Sequence, residues 1–143
     1  MLPHTWWRAD SIVGLSDGDS VTAWPDDSGN GWTATRTGGT SKWETAESPT
    51  GKPVVRVPGT ATSDVLTSSA PATGATGQTY LAAVKPSGSA GVRTIVGCSG
   101  GGTTSGNQVR LENSTNRVQL MRQGSTDLAT SSLALVAGSW SIV

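Results

Sequence analysis

Short runs in which apolar and polar residues alternate recur about every ten residues along this chain, the spacing of a sandwich or barrel. Clusters of Gly, Pro, Ser, Asn and Asp separate them. No window carries the i, i+3, i+4, i+7 apolar spacing of an amphipathic helix free of Gly, Pro or Ser/Thr runs. The pattern predicts strands over 6–9, 20–24, 54–57, 64–66, 79–85, 93–98, 108–112, 117–121, 128–130 and 140–143, with short irregular ones over 32–36 and 42–44. Val21 and Ala23 are expected on one face, and Gly29-Asn30-Gly31 forms a turn. Segment 79–85 is the most apolar and is expected at the centre of a sheet. Pro86 ends it, because proline cannot donate to a ladder. Segments 108–112 and 117–121 alternate most clearly, with Asn113-Ser114-Thr115-Asn116 between them. They read as an antiparallel hairpin with Val109, Leu111, Val118 and Leu120 on a core face and the opposite face wet.

Composition sharpens this picture. The chain has 143 residues and no linker or repeat that divides it, so one domain over 1–143 is expected. Ser and Thr together number 39, Gly adds 19, and Phe is absent. Such residues suit turns and solvent-facing strand positions, which leaves six Trp as the main large apolar side chains. The formal net charge is zero and the basic residues are scattered singly, so no nucleic-acid partner is expected. Cys98 stands alone, which excludes an internal disulfide; it reads as a small buried hydrophobe, against the alternative of a reactive thiol. The late apolar run 133–137 is too short to span a bilayer, so no membrane association is expected. The first residues lack a basic stretch followed by an apolar one, so no secretory signal is expected. Release inside a virus particle is one route by which such a chain reaches the outside.

Candidate chemistry is sparse. His4 is the only histidine, and a Ser-His-Asp triad would depend on it. Glu44, Glu47 and Glu112 are the only glutamates, and Glu44 and Glu47 sit in a polar connection rather than across one strand face. Asp26, Ser28 and Asn30, followed by Gly31, open like a calcium loop, but Thr37 stands where its bidentate acid belongs. The alternative is a turn in which Asp and Asn cap the backbone and the glycines take positive φ. Calcium is therefore the one candidate cofactor. The Gly-rich stretch 97–106 lacks the Lys-Ser/Thr of a phosphate loop. Asn113-Ser114-Thr115 matches a glycosylation sequon but lacks a secretory context. Trp6, Trp24 and Trp140 fall in predicted strands and read as core. Trp32 and Trp43 fall in loop-like segments and are the candidates for stacking on a glycan.

Several segments then act together: Trp7-Arg8-Ala9-Asp10, Val21-Thr22-Ala23-Trp24-Pro25-Asp26, Asp27-Ser28-Gly29-Asn30-Gly31, and Gly51-Lys52-Pro53-Val54-Val55-Arg56-Val57 with Gly59-Thr60 behind. Their order resembles bacterial and phage laminin-G-like domains of the concanavalin A-like lectin/glucanase superfamily. Segments 80–85 and 108–122 fit that family's middle strands, so the resemblance covers nearly the whole chain. It implies a jelly-roll-like antiparallel β-sandwich. It also implies roles in sugar binding, adhesion, or accessory work in secreted enzymes and virion proteins. Two departures stand out. Val57-Pro58 replaces the aromatic usual after the Val-Val-Arg segment, and the sequence stops at Trp140-Ser141-Ile142-Val143, several strands short of the family pattern. Open apolar edges accept strands from another chain, so a partner or a second copy is expected to supply the missing ones. The reading is a non-enzymatic structural or attachment module on a virion (capsid decoration, tail or fibre) or another extracellular surface. Its partners are other protein chains, in a homo-oligomer or a virion assembly. The alternative is a carbohydrate-binding module of a secreted bacterial enzyme or adhesin, with a glycan as ligand.

Overall fold

The computed structural model describes residues 5–45, 50–58, 66–69, 79–88, 91, 93–97, 107–122 and 127–143. The chain is all-β and its strands pair antiparallel throughout. It gathers into two compact units, Met1–Pro71 and Ala72–Val143. No helix among the described residues is long and apolar enough to cross a membrane.

In the first unit the strands are only two or three residues long. β1 (Ala23–Trp24), β2 (Ala34–Arg36) and β5 (Leu66–Thr67) form one sheet in the order β1-β2-β5. β3 (Lys42–Glu44) and β4 (Val54–Arg56) form a separate pair with Trp43 opposite Val55. An isolated bridge joins Ser20 to Lys42. Among the described residues, Ile12, Val21 and Ala34 are the buried apolar side chains here, and Ser41, whose carbonyl accepts from Val21 N–H, is fully enclosed. The predicted strand over 6–9 is not one: Ala9–Ser11 closes a 3-10 turn, and Trp6 is half exposed instead of core. Val21 and Ala23 differ too, because only the second lies in β1; Val21 is buried and Ala23 exposed.

The second unit holds the longer strands. β7 (Arg93–Gly97), β8 (Asn107–Leu111), β9 (Arg117–Arg122) and β10 (Asp127–Ala134) form a four-stranded sheet in the order β10-β9-β8-β7. The predicted hairpin is present, with Val109 opposite Leu120 and Leu111 opposite Val118. Its tip turns through Ser114 and Asn116, at φ of 65° and 55°. Asn116 tolerates that left-handed conformation because its neighbours fix it: its carbonyl accepts from Leu135 N–H and its side-chain oxygen from Arg93. The opposite face of the hairpin is not wet throughout. Gln119 is buried there, accepting from Arg110 Nε at 2.9 Å and donating to Glu112 and Thr130. β10 runs irregularly, and Ser131 fills one break by accepting from Val118 N–H at 3.0 Å.

Segment 79–85 does not sit in mid-sheet. Only β6 (Ala83–Val84) is strand, and it pairs with β11 (Ser141–Ile142) alone. Ala82 and Val143 extend the ribbon by exchanging two backbone hydrogen bonds of 2.8 and 2.9 Å. Leu81, in the middle of that apolar run, is 82% exposed, whereas Leu111 in β8 is 4% exposed. The same truncation therefore separates packing from composition. Leu111→Ala is expected to cost about 3 kcal/mol and Leu81→Ala less than about 0.5 kcal/mol, read as shifts in denaturant midpoint.

Candidate functional site

Short strands leave many backbone N–H groups without a ladder partner, and these must be satisfied by other means. In the first unit Asp26 does much of this. Its Oδ1 accepts from Trp6 N–H at 2.8 Å and Ser28 N–H at 2.9 Å. Its Oδ2 accepts from Ser28 Oγ–H at 2.7 Å and Trp32 N–H at 3.1 Å. A carboxylate offers about four lone-pair sites, so these four donors use its capacity. Partial burial pushes the Asp26 carboxyl upward, but the donors from Trp6, Ser28 and Trp32 outweigh it and hold it at about 2. Gly29 and Gly31 take φ of 86° and 76°, the left-handed conformations that the turn alternative requires. Asn30 follows the same pattern, with its N–H and Nδ2 both donating to Ser28 Oγ. Asp26, Ser28 and Asn30 are thus brought together, with the carboxylate facing N–H and O–H donors. Among the described residues no group of three or more His, Cys, Asp or Glu side chains comes together.

The tryptophans follow a second rule. Trp7 Nε1–H donates to the Trp32 carbonyl at 3.2 Å, Trp24 Nε1–H to the Arg8 carbonyl at 2.8 Å, and Trp43 Nε1–H to the Ala9 carbonyl at 3.0 Å. Two of these indoles fix the 3-10 turn, a segment with no ladder of its own. Trp43 is therefore half-buried and anchored in β3, away from the loop-like setting its sequence context implied. Trp32 is half-buried, and its backbone is held on both sides, by Asp26 on its N–H and by Trp7 and Ser68 on its carbonyl. The exposed indole is that of Trp6, with the Arg8 guanidinium 5.6 Å from its ring centre. Nothing in the sequence signals this, because Trp6-Trp7-Arg8-Ala9 has the composition of a strand.

Other carboxylates among the described residues are engaged by neighbouring side chains and backbone. Arg8 Nε lies 2.8 Å from Asp27 and 3.7 Å from Asp10, and Lys52 Nζ lies 2.8 Å from Asp10. The hydrogen bond from Lys52 holds the Asp10 carboxyl below its ordinary value. Asp17 is lowered by the Thr45 N–H and hydroxyl donors. Arg56 Nε pairs with Glu44 at 2.8 Å, and Glu112 accepts from Thr115. His4, Glu47 and Cys98 lie outside the described residues, as does most of the stretch 97–106. In the second unit a shallow apolar groove of about 340 Å³ runs between Thr79, Tyr80 and Val143 on one side and Val109, Val118 and Leu120 on the other.

Comparison with protein-family models, curated proteins and solved structures returns no match. The resemblance to laminin-G-like domains therefore rests on the segments quoted above. Asp26→Asn replaces one acceptor oxygen by a donor facing other donors. It is expected to lower the unfolding free energy by about 1–2 kcal/mol at neutral pH, with partial solvation keeping the figure small. Because the folded carboxyl lies below its unfolded value, this stability is present above about pH 4 and fades as pH falls towards about 2. Urea melts of both proteins across that window check it, and the two curves are expected to converge at the acid end.

Proposed function

We propose that the chain is a non-catalytic structural or attachment module, displayed on a virion or another extracellular surface and held there by other protein chains. The observation that carries this reading is the apolar surface of Ala72–Val143. Leu81, Leu133, Val136 and Ile142 are each more than two-thirds exposed, and Leu120 beside the apolar groove is 38% exposed. Exposed large aliphatic side chains on this unit, together with the apolar groove, favour a covering chain over water. The use made of the carboxylates supports the non-catalytic part. Asp17 and Asp26 hold loops, while Asp10 and Glu44 pair with Lys52 and Arg56. The jelly-roll-like sandwich of laminin-G-like domains is part of the same proposal, on the segments that resemble that family. Light scattering coupled to size exclusion is expected to find an assembled species that Leu133→Asp combined with Ile142→Asp returns to monomer. A wild-type monomer at every concentration would remove the proposal's main support.

One observation favours a second reading, glycan binding. Trp6 is 51% exposed and carries a cation over its ring, a surface that accepts the apolar face of a sugar with polar groups at its margin. Glycan-array binding that Trp6→Ala abolishes, with the circular dichroism spectrum unchanged, is the expected result if this reading holds. Binding that survives Trp6→Ala would sink it.

A further inference from the structure

The Asp26 loop contains a chemically labile link. Asn30 is followed by Gly31, and no other asparagine in the chain precedes a glycine. Both residues are exposed, and open space surrounds Gly31, where an added Cβ would meet nothing within 4 Å. Glycine has no side chain to screen its backbone nitrogen, and the Gly31 N–H has no acceptor among the described residues. The Gly31 carbonyl accepts from Thr33 N–H at 3.0 Å, so the chain turns tightly here.

We propose that Asn30 is a spontaneous deamidation site whose reaction loosens the loop built on Asp26. The Gly31 nitrogen loses its proton and bonds to Asn30 Cγ. The Cγ–Nδ2 bond breaks, and nitrogen leaves as ammonia with that proton. Water then opens the cyclic imide at either carbonyl, leaving aspartate or isoaspartate at position 30. The isoaspartyl form adds one methylene to the backbone between Ser28 and Trp32, both of which donate to Asp26. Either product also places a new negative charge close to Asp26 and Asp27.

A built-in comparison supports the assignment. Asp17-Gly18 is the analogous acidic link in the same unit, and it is closed at both ends. Gly18 N–H donates to the Trp43 carbonyl at 2.8 Å, and the Asp17 carboxylate accepts from Thr45 N–H and Oγ–H. Its nucleophile and its electrophile are both engaged, whereas at Asn30-Gly31 the side-chain amide rests on Ser28 Oγ but the attacking Gly31 nitrogen has no acceptor among the described residues.

The test is incubation of the folded protein at mildly alkaline pH, followed by tryptic peptide mass mapping. Residues 9–36 form one tryptic peptide, and Asn30 is its only amide side chain, so an amide-to-acid mass gain there reports Asn30 alone. The acid form is expected to accumulate in this peptide ahead of those carrying Asn107, Asn113 and Asn116, faster at alkaline than at acidic pH, and to vanish in Asn30→Gln. Hydrogen exchange of the Trp32 amide is expected to quicken roughly tenfold in the isoaspartyl protein, the factor for losing a charge-assisted hydrogen bond. An unchanged 9–36 peptide while other asparagines convert would overturn the site. Unchanged Trp32 exchange in converted protein would overturn its consequence.

Discussion

The first unit depends on satisfying backbone polar groups where the strands are too short to do it. Two- and three-residue strands make few ladder bonds, and the path from Trp6 through the 3-10 turn to Ile12 makes none. A backbone donor or acceptor left unpaired away from water costs as much as a lost hydrogen bond. Asp26 answers the backbone N–H groups of Trp6 and Trp32, and the indoles of Trp7, Trp24 and Trp43 answer three carbonyls. Each contact spans between 16 and 34 residues, apart from the local Trp32 link to Asp26. Side chains that look like binding chemistry are thereby used as tertiary staples.

The second unit meets the same demand with regular pairing. β8 and β9 make a five-pair hairpin, so their side chains are available for packing and for the Arg110–Gln119–Thr130 cluster. What regular pairing leaves over is apolar surface. The ribbon of β6 and β11 carries Leu81 and Ile142 into solvent, and an isolated two-stranded ribbon is marginally stable by itself. That combination motivates the proposal of a structural role supported by neighbouring chains.

The sequence made the strand-rich class and the β8–β9 hairpin readable, because period-two alternation flanked by Asn and Ser has few other solutions. β4 was legible for a related reason, because Pro53 and Pro58 bracket it, whereas β3 read only as a short irregular segment. The segment 6–9 misled because Trp-Trp-Arg-Ala has strand composition, while its conformation is set by residues up to 34 positions away. Leu81 misled because an apolar run signals burial only when something covers it. At the candidate site, Asp-x-Ser-Gly marked a turn, but nothing local announced that Asp26 would also collect Trp6 and Trp32.

The central claim is that three particular indoles hold the first unit together while a fourth faces water. Hydrogen–deuterium exchange of the indole N–H signals, followed by two-dimensional NMR, reads this directly. Trp7, Trp24 and Trp43 are predicted to retain their signals long after Trp6 has lost its own. Loss of all four together, at the rate of unstructured tryptophan, would contradict it.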